Sequence, residues 1–273
     1  MISIFQNIVK QYHDKTALKF GRLSFTYSEL DRISDCIALL ILQSGHTPAI
    51  SPYVGIYSSR TQYTIPMMLG IWKAGFAYVP MDPKYSSERI KYIIDDCNLK
   101  LVITDCDAPV SDYPQTQWLT INEAALSAVA HRPVHEEHGR YAYVIYTSGT
   151  TGKPKGIPIS HVGLRNLIEV RQKTLYTHVE NTLETCIASI AFDYSVWEMF
   201  CPLMTGTAVY FFSEEEKANP QRIAEILEEQ HVTTFSITPT YLSIIPYRPL
   251  PDLKYLVFGG EPCPEPLVRK WHL

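Results

Sequence analysis

The sequence lacks the long apolar run that a membrane-spanning helix requires. Its longest hydrophobic stretch, CIALLIL at residues 36–42, is far short of the roughly 20 apolar residues that cross a bilayer. The amino terminus, MISIFQNIVKQYHDK, has neither a long apolar segment nor a small-residue cleavage site, so it does not fit a signal peptide. We therefore expect a chain with no membrane partner and a cytoplasmic location.

Charged residues are also scarce, and the basic ones form no cluster. Only 19% of the 273 residues are charged, the net charge is −4, and no basic stripe supports a nucleic-acid partner. None of the six cysteines forms a C-x-x-C pair, and most lie within apolar runs, which suits free buried thiols in a reducing compartment. With 46% hydrophobic residues, the chain can form a large core in one or two domains.

Strand-like and helix-like patterns alternate along most of the chain. Such alternation predicts an α/β fold in which mostly parallel sheets are flanked by helices. The stretch between residues 105 and 140 is irregular and contains several prolines. We therefore expect two α/β lobes, approximately 1–104 and 141–273, joined by the irregular segment 105–140.

Local signals predict several features within these lobes. Gly21-Arg22 separates two short strand patterns and predicts a hairpin. Thr26 and Glu29 have the spacing of a capping box before a long amphipathic helix. The acidic stretch EEEK at 214–217 predicts a solvated turn.

Residues 141–156, YAYVIYTSGTTGKPKG, combine a buried strand pattern with a loop rich in glycine, hydroxyls and lysine. Glycines let backbone N–H groups approach a phosphate, and lysine supplies positive charge, so the loop suits a polyanion. It does not match the phosphate loop of nucleotide triphosphatases, because Pro154 stands where Ser or Thr should open a helix. The following alternation predicts a second strand. A loop that folds over a triphosphate and a solvated hairpin connection both fit this pattern.

Three histidines in HRPVHEEH, at positions 131, 135 and 138, have side chains that can bind metals. The stretch is polar and broken by proline, so it offers no regular scaffold on which these side chains could converge. We expect no metal site there.

Five stretches, in this order, closely resemble motifs of the adenylation domains of nonribosomal peptide synthetases. They are FTYSELD (25–31), WKAGFAYVPMDP (72–83), YTSGTTGKPKG (146–156), FDYSVWEMF (192–200) and LVFGGEPCP (256–264). The wider superfamily includes acyl-coenzyme A synthetases and luciferases, which convert a carboxylate and ATP into an acyl adenylate and pyrophosphate. The resemblance covers nearly the whole chain but only about the front half of the family's domain. It implies the large N-terminal subdomain of the acyl-adenylate-forming enzymes, in incomplete form.

The resemblance implies ATP and Mg²⁺ as cofactors, with the main Mg²⁺ ligand in the part of the family's domain that this chain lacks. The implied nucleotide contacts are Thr147, Ser148, Gly149, Thr150, Thr151, Gly152, Lys153, Lys155, Gly260, Glu261 and Pro262. Thr147 and Lys155 are the catalytic candidates among them. The loop would embrace the β- and γ-phosphates, its lysines would stabilise the departing pyrophosphate, and the segment at 260–262 would lie against the adenine.

Asp193 distinguishes branches of the superfamily. A carboxylate before a helix is commonly an N-cap, and that explanation remains open. In the resembling adenylation domains, the matching aspartate instead pairs with the substrate's α-ammonium, which implies an α-amino acid. The resemblance places the substrate next to Asp193, Tyr194, Trp197, Ser236, Val257 and Gly259. Bulky rings and the Ser236 hydroxyl suggest a small polar side chain such as that of threonine.

Taken together, these motifs predict an enzyme that activates an amino acid as an aminoacyl adenylate. The acyl group would then be loaded onto a phosphopantetheinyl carrier domain, and a small accessory protein is a further possible partner. Two alternatives stay open: an acyl- or aryl-coenzyme A ligase of the same fold, and a non-catalytic nucleotide-binding remnant. We expect the chain alone to be inactive, because it ends inside the helical pattern PEPLVRKWHL, before the family's C-terminal lysine.

Overall fold

The structure is a computed structural model that describes residues 1–134, 139–147, 154–174 and 182–271. Helices and strands alternate along most of these ranges. The helices are α1 (Ile2–Tyr12), α2 (Tyr27–Gln43), α3 (Thr64–Lys73), α4 (Ser87–Asp96), α5 (Glu123–Ser127), α6 (His161–Thr174), α7 (Tyr194–Leu203), α8 (Glu214–Lys217), α9 (Pro220–Glu229), α10 (Pro239–Ile244) and α11 (Glu265–Lys270).

The strands are short, and most of them are buried. They are β1 (Thr16–Phe20), β2 (Leu23–Thr26), β3 (Tyr53–Tyr57), β4 (Ala77–Met81), β5 (Leu101–Thr104), β6 (Gln117–Thr120), β7 (Tyr141–Thr147), β8 (Lys155–Ser160), β9 (Leu183–Cys186), β10 (Ala208–Phe211), β11 (Thr234–Ile237) and β12 (Tyr255–Phe258).

Two six-stranded sheets organise the described residues. Sheet A has the order β12-β11-β9-β10-β1-β2, and sheet B has the order β6-β5-β3-β4-β7-β8. Pairing is parallel in both sheets except for the β1–β2 and β7–β8 hairpins, each of which adds an antiparallel strand at an edge. The predicted α/β class with mostly parallel sheets is confirmed.

The strand pairing divides the chain differently from the predicted lobes 1–104 and 141–273. Strand β1 pairs with β10, so the first strands of the chain belong to sheet A. Strand β7 pairs with β4, and β6, from within the segment 105–140, extends sheet B beside β5. Local patterns identify strands but not their distant partners, so these pairings could not be read from the sequence, and the two-lobe division stays a prediction.

Two of the local predictions are confirmed, and one is wrong. Gly21, with a φ of 56°, lies in the turn of the β1–β2 hairpin. The Thr26 hydroxyl accepts the Glu29 N–H at 3.2 Å, and the Glu29 carboxylate accepts the Thr26 N–H at 2.8 Å, which completes the capping box. Residues 214–217 form the short helix α8 instead of a turn, because Ser213 and Glu216 make a second capping box.

The largest core lies between the two sheets and is built around α2, α3 and α7. Trp72 of α3 is fully buried and donates its indole N–H to the Ala142 carbonyl of sheet B at 2.6 Å. On its other side the same ring packs against Phe200 of α7, with 4.4 Å between ring centroids. One tryptophan thus joins sheet B to a helix that packs against sheet A.

All six cysteines are free thiols, and four of them are buried. This outcome confirms the expectation of unpaired thiols within apolar runs. In the ranges that the structure describes, no helix combines the length and hydropathy needed to cross a membrane.

Candidate active site

A cavity of about 700 Å³ opens at the carboxyl ends of three neighbouring parallel strands of sheet A, β9, β11 and β12. Ligands of open α/β sheets commonly bind outside this edge, because the loops that follow the strands converge there. The cavity is lined by Ile187, Ala188, Phe192, Asp193, Tyr194, Glu198, Lys217, Ile237, Thr238, Thr240, Tyr241, Gly259, Gly260 and Glu261.

Five of the predicted contact residues lie at this cavity. Asp193 and Tyr194 reach it from the start of α7, and the segment 259–261 reaches it directly after β12. A Cβ atom on Gly259 would be in ordinary van der Waals contact with the Tyr194 ring, at 3.5 Å, so the absence of a side chain leaves this volume to the cavity. Gly260 has a φ of 85°, a conformation that residues other than glycine rarely adopt.

Asp193 stands at the N-cap position of α7 but does not cap the helix with its side chain. Its backbone is helical, with φ −59° and ψ −31°, and its carboxylate accepts no capping hydrogen bond. A capping aspartate normally has an extended backbone. The N-cap explanation of Asp193 is therefore wrong, and the exposed carboxylate lines the cavity instead.

Glu261 uses its carboxylate within the protein. One oxygen accepts the Thr240 N–H at 2.6 Å and the other accepts the Thr240 hydroxyl at 2.8 Å. These hydrogen bonds lower the pKa of Glu261. Pro262 lines a smaller neighbouring cavity of 440 Å³ with residues of α10 and α11. Glu261 thus ties the segment after β12 to the start of α10.

The other three predicted substrate contacts, Ser236, Val257 and Trp197, do not line the cavity. Ser236 of β11 is buried and lies opposite Val257 of β12 in the parallel register, one layer below the strand ends. Trp197 of α7 packs against the main core, with the Arg171 guanidinium 5.4 Å from its ring. Of the six predicted substrate contacts, Asp193, Tyr194 and Gly259 line the cavity.

Two of the loop residues lie within the described part of the chain. Thr147 ends β7 and Lys155 begins β8, and they face each other across the hairpin with both side chains exposed. This hairpin confirms the predicted second strand after the loop. The remaining loop predictions, Ser148, Gly149, Thr150, Thr151, Gly152 and Lys153, lie outside the described residues.

Helix α4 holds both strands at the base of this hairpin. The Tyr146 hydroxyl donates to the Asp96 carboxylate at 2.6 Å, and burial, with this hydrogen bond, raises the pKa of Tyr146. Tyr92 donates to the Pro154 carbonyl at 3.1 Å. A Cβ atom on Gly156 would lie 2.9 Å from the Tyr146 ring, so glycine allows the two strands to pack this closely.

His131 takes part in a charge cluster with a buried carboxylate. Its Nε2 atom lies 3.1 Å from a carboxylate oxygen of Asp35. His135 and His138 lie outside the described residues. Elsewhere, across the described ranges, no three His, Cys, Asp or Glu side chains are arranged to hold a metal ion.

Sequence reasoning missed two charged residues of the cavity. Glu198 lies one helical turn after Tyr194, a spacing that places both side chains on one face of α7 and could have identified it. Lys217 ends α8, and the solvated turn predicted there gave no reason to expect it. Thr238 and Thr240 follow β11, and the strand-end rule could have identified them.

The surroundings shift the pKa values of both charged residues. Burial raises the pKa of Glu198 to about 7, although hydrogen bonding from the Ala188 N–H and the charge of Arg60 oppose this shift. Burial and the Arg60 charge lower the pKa of Lys217, whose ammonium lies 2.8 Å from the Glu214 carboxylate. The cavity wall therefore contains a carboxylate that titrates near neutral pH.

Comparison with known proteins places this geometry in context. A family model described as AMP-binding enzyme matches residues 5–273. Tyrocidine synthase 2 of Brevibacillus parabrevis is 32% identical over 270 residues, a match covering 98% of this chain and 7% of the relative. Tyrocidine synthase 1 of the same organism is 32% identical over 274 residues, covering 98% of this chain and 25% of the relative.

Among solved structures, the crystal structure of the nonribosomal peptide synthetase FmoA3 has the same fold. It superposes with a TM-score of 0.86 at 25% sequence identity, covering 98% of this chain and 29% of FmoA3. The AMPPNP-bound form of FmoA3 superposes with a TM-score of 0.85. The chain thus spans a quarter or less of the tyrocidine synthases and under a third of FmoA3.

Proposed function

The chain belongs to the family of AMP-binding enzymes, and from this premise we propose that it is the front part of an adenylation domain that activates an α-amino acid. The reaction joins the amino-acid carboxylate to the α-phosphate of ATP and releases pyrophosphate. A phosphopantetheinyl carrier domain would then accept the aminoacyl group, and the tyrocidine synthase and FmoA3 matches support this assignment. The cytoplasm is the proposed location.

The state of Asp193 carries the proposal. Its carboxylate lies at the cavity beside Tyr194 and makes no capping hydrogen bond to its own helix. A carboxylate in a largely apolar cavity attracts a cation, and the α-ammonium of an amino acid has the charge and the three donors to pair with it. A ligase for simple carboxylic acids has no cation to place there.

The residues present fit a nucleotide beside this carboxylate. Gly259 and the left-handed Gly260 line the cavity without side chains and so leave room for a flat base, and Thr147 and Lys155 supply a hydroxyl and a positive charge at the hairpin. ATP would supply the adenylyl group, and Mg²⁺ would neutralise charge on its phosphates. The AMPPNP-bound form of FmoA3 supports a triphosphate nucleotide.

The substrate side chain is proposed to be small and polar, with threonine as the first candidate. Tyr194 narrows the cavity. The Thr240 hydroxyl donates to Glu261 and the Thr238 hydroxyl accepts the Tyr241 N–H, but both oxygens keep a lone pair that can accept a hydrogen bond from a polar side chain. Ser236 and Val257 lie in the strands beneath this surface. A tryptophan or tyrosine conjugate that binds more tightly than the threonine conjugate would contradict this part of the proposal.

The test uses pairs of acyl sulfamoyl-adenosine conjugates that differ only in the α-ammonium, titrated into the 273-residue chain by calorimetry or NMR. We expect the ammonium-bearing member of each pair to bind on the order of 10-fold to 100-fold more tightly. In Asp193→Ala this preference should disappear, while AMP binding stays within about twofold. Asp252→Ala is the control, since this half-exposed carboxylate pairs with His231 and does not line the cavity.

Each result separates the proposal from its alternatives. Preference for the member without the ammonium would favour an acyl- or aryl-coenzyme A ligase. Binding of AMP without any conjugate would favour a nucleotide-binding remnant. A preference that survives in Asp193→Ala would show that another group recognises the ammonium.

A further inference from the structure

One wall of the cavity is held by a carboxylate from a different element. Ile187 and Ala188 follow β9 and line the cavity, and both of their N–H groups donate to the same oxygen of Glu198, at 3.1 and 2.9 Å. Glu198 belongs to α7 and is 2% exposed. A single carboxylate oxygen therefore ties this wall to the helix that follows Asp193.

Arg60 holds the opposite side of the segment formed by Ile187 and Ala188. It lies in the loop that connects β3 of sheet B to helix α3. Its guanidinium donates to the Ala188 carbonyl at 2.5 Å, to the Cys186 carbonyl at 2.8 Å and to the Phe212 carbonyl at 2.9 Å. The group also lies 4.1 Å from the centroid of the Phe211 ring. Arg60 thus connects the loops of sheet B to the strand ends of sheet A that bear the cavity.

Both residues are energetically costly. Within the part of the chain that the structure describes, the second carboxylate oxygen of Glu198 is buried and accepts no N–H or O–H donor, and besides the two amides the carboxylate has only the weak thiol donor of Cys186. Arg60 is 3% exposed and has a φ of 64°, a left-handed conformation that costs free energy in a residue with a side chain. Apolar side chains of similar volume often stabilise a fold as well as buried charges do. Packing alone therefore does not account for this arrangement.

We propose that Glu198 and Arg60 are positioning residues of the cavity: they hold Ile187 and Ala188 from two sides and so determine how the acyl part of the ligand fits. This inference rests on the proposed function, since it takes the cavity as the acyl site. Glu198 fixes the two amides, and Arg60 fixes the carbonyl of Ala188. Neither side chain is required to touch the ligand.

The first experiment compares three carboxylate variants by titration with AMP and with the aminoacyl sulfamoyl-adenosines of the proteinogenic amino acids. Glu198→Ala should bind the best conjugate about tenfold more weakly and AMP within about twofold. Glu198→Gln keeps an oxygen that can accept both N–H groups and should restore most of the affinity. Glu184→Ala is the control, because this carboxylate is also buried and pairs with Arg171 but does not line the cavity.

The second experiment needs no ligand. Hydrogen exchange of the Ile187 and Ala188 amides should become at least about tenfold faster in Glu198→Ala than in Glu184→Ala, at temperatures chosen for equal global stability. Glu198→Gln should remain close to the parent protein. Equal protection of these two amides in both alanine variants would overturn the inference, even if no conjugate binds.

Arg60→Lys tests the other side of the wall. Lysine keeps the positive charge but cannot donate to three carbonyls with a planar fork, so selectivity among the conjugates should narrow while AMP binding persists. If selectivity among the conjugates and hydrogen exchange of the Ile187 and Ala188 amides were both unchanged, Arg60 would have only a structural role, and its part of the inference would be wrong. Failure of every conjugate to bind the parent chain would refute the proposed function, and the exchange measurement would still decide the inference.

Discussion

Lys73 and Glu198 are both buried charges, yet their surroundings differ completely. The three ammonium protons of Lys73 have three acceptors: the Asp31 carbonyl at 2.9 Å and one carboxylate oxygen each of Asp31 and Asp35 at 2.6 Å. Glu198 has one oxygen that accepts two N–H groups and, in the described structure, a second oxygen that accepts no N–H or O–H donor. The Lys73 cluster joins α2 to α3 away from the cavity, whereas Glu198 lines it.

The difference separates two uses of a buried charge. A fully paired ion cluster contributes to the fold, because removing one member leaves its partners charged and unpaired. A carboxylate that is paired on one side only contributes less to the fold and more to the position of the groups that it holds. The comparison predicts different responses to mutation and to pH.

The largest effect is expected at the paired cluster. Lys73→Met should lower the free energy of unfolding by about 3–5 kcal/mol, because two carboxylates lose their shared counter-charge. Urea denaturation followed by circular dichroism would measure the change. Lys91→Met is the matched control: Lys91 pairs with Asp95 at 3.2 Å on an exposed helix face, where the loss should stay below about 1 kcal/mol. Equal losses of unfolding free energy in Lys73→Met and Lys91→Met would show that the buried cluster contributes no more to the fold than an exposed ion pair.

The next effect concerns Glu198 and depends on pH. Its pKa is raised to about 7, so the folded state binds this proton more tightly than the unfolded state. The resulting stabilisation is present at low pH and is lost as pH rises from the ordinary glutamate range through 7. Relative to Glu198→Gln, the parent protein should therefore lose up to about 3 kcal/mol between pH 5 and 8. Glu215→Gln, at an exposed carboxylate, should track the parent.

An intermediate loss of stability is expected where the neutral Tyr146 hydroxyl donates to the Asp96 carboxylate. Tyr146→Phe removes the hydroxyl that donates to Asp96 and should cost about 2 kcal/mol, because charge-assisted hydrogen bonds are stronger than neutral ones. Tyr113→Phe removes a donor to the Ser87 carbonyl at the start of the same helix and should cost about 1 kcal/mol. Chemical denaturation of both variants would show whether the charge of the acceptor sets the order.

The smallest effect is expected at the rim of the paired cluster. His131 lies 3.1 Å from Asp35 but has a side chain that is 37% exposed, so water can replace its hydrogen bond. His131→Ala should change the free energy of unfolding by less than about 1 kcal/mol. A loss as large as that of Lys73→Met would mean that the histidine, rather than the lysine, secures Asp35.

Much of the local structure could be predicted from the sequence. The β1–β2 hairpin, the Thr26 capping box and the strand after the glycine-rich loop follow from patterns that lie within a few residues of each other. Strand β6 lies in the segment that the sequence presents as irregular, and its place beside β5 was not predicted. Strand partners depend on which hydrophobic faces pack together, and this information is spread over the whole chain.

In the candidate site, too, residues in local motifs could be predicted, whereas residues that act on groups outside such motifs could not. Asp193 and the glycines at 259 and 260 were found because they lie in short contiguous motifs, and all three line the cavity. Glu198 and Arg60 were missed as contributors, since each acts through hydrogen bonds to backbone groups that sequence patterns do not encode. Helical spacing from Tyr194 was the one available signal for Glu198.

The parallel pairing of β1 with β10 has a consequence for the synthesis of the chain. Leu18 of β1 lies opposite Val209 of β10, so β1 is translated long before the strand with which it pairs. At typical elongation rates, roughly 190 residues take on the order of 10 to 40 s to be made. Sheet B, whose strands lie between residues 53 and 160, is translated in full during that interval. Sheet A, which bears the cavity, is therefore completed only after every strand of sheet B has been made.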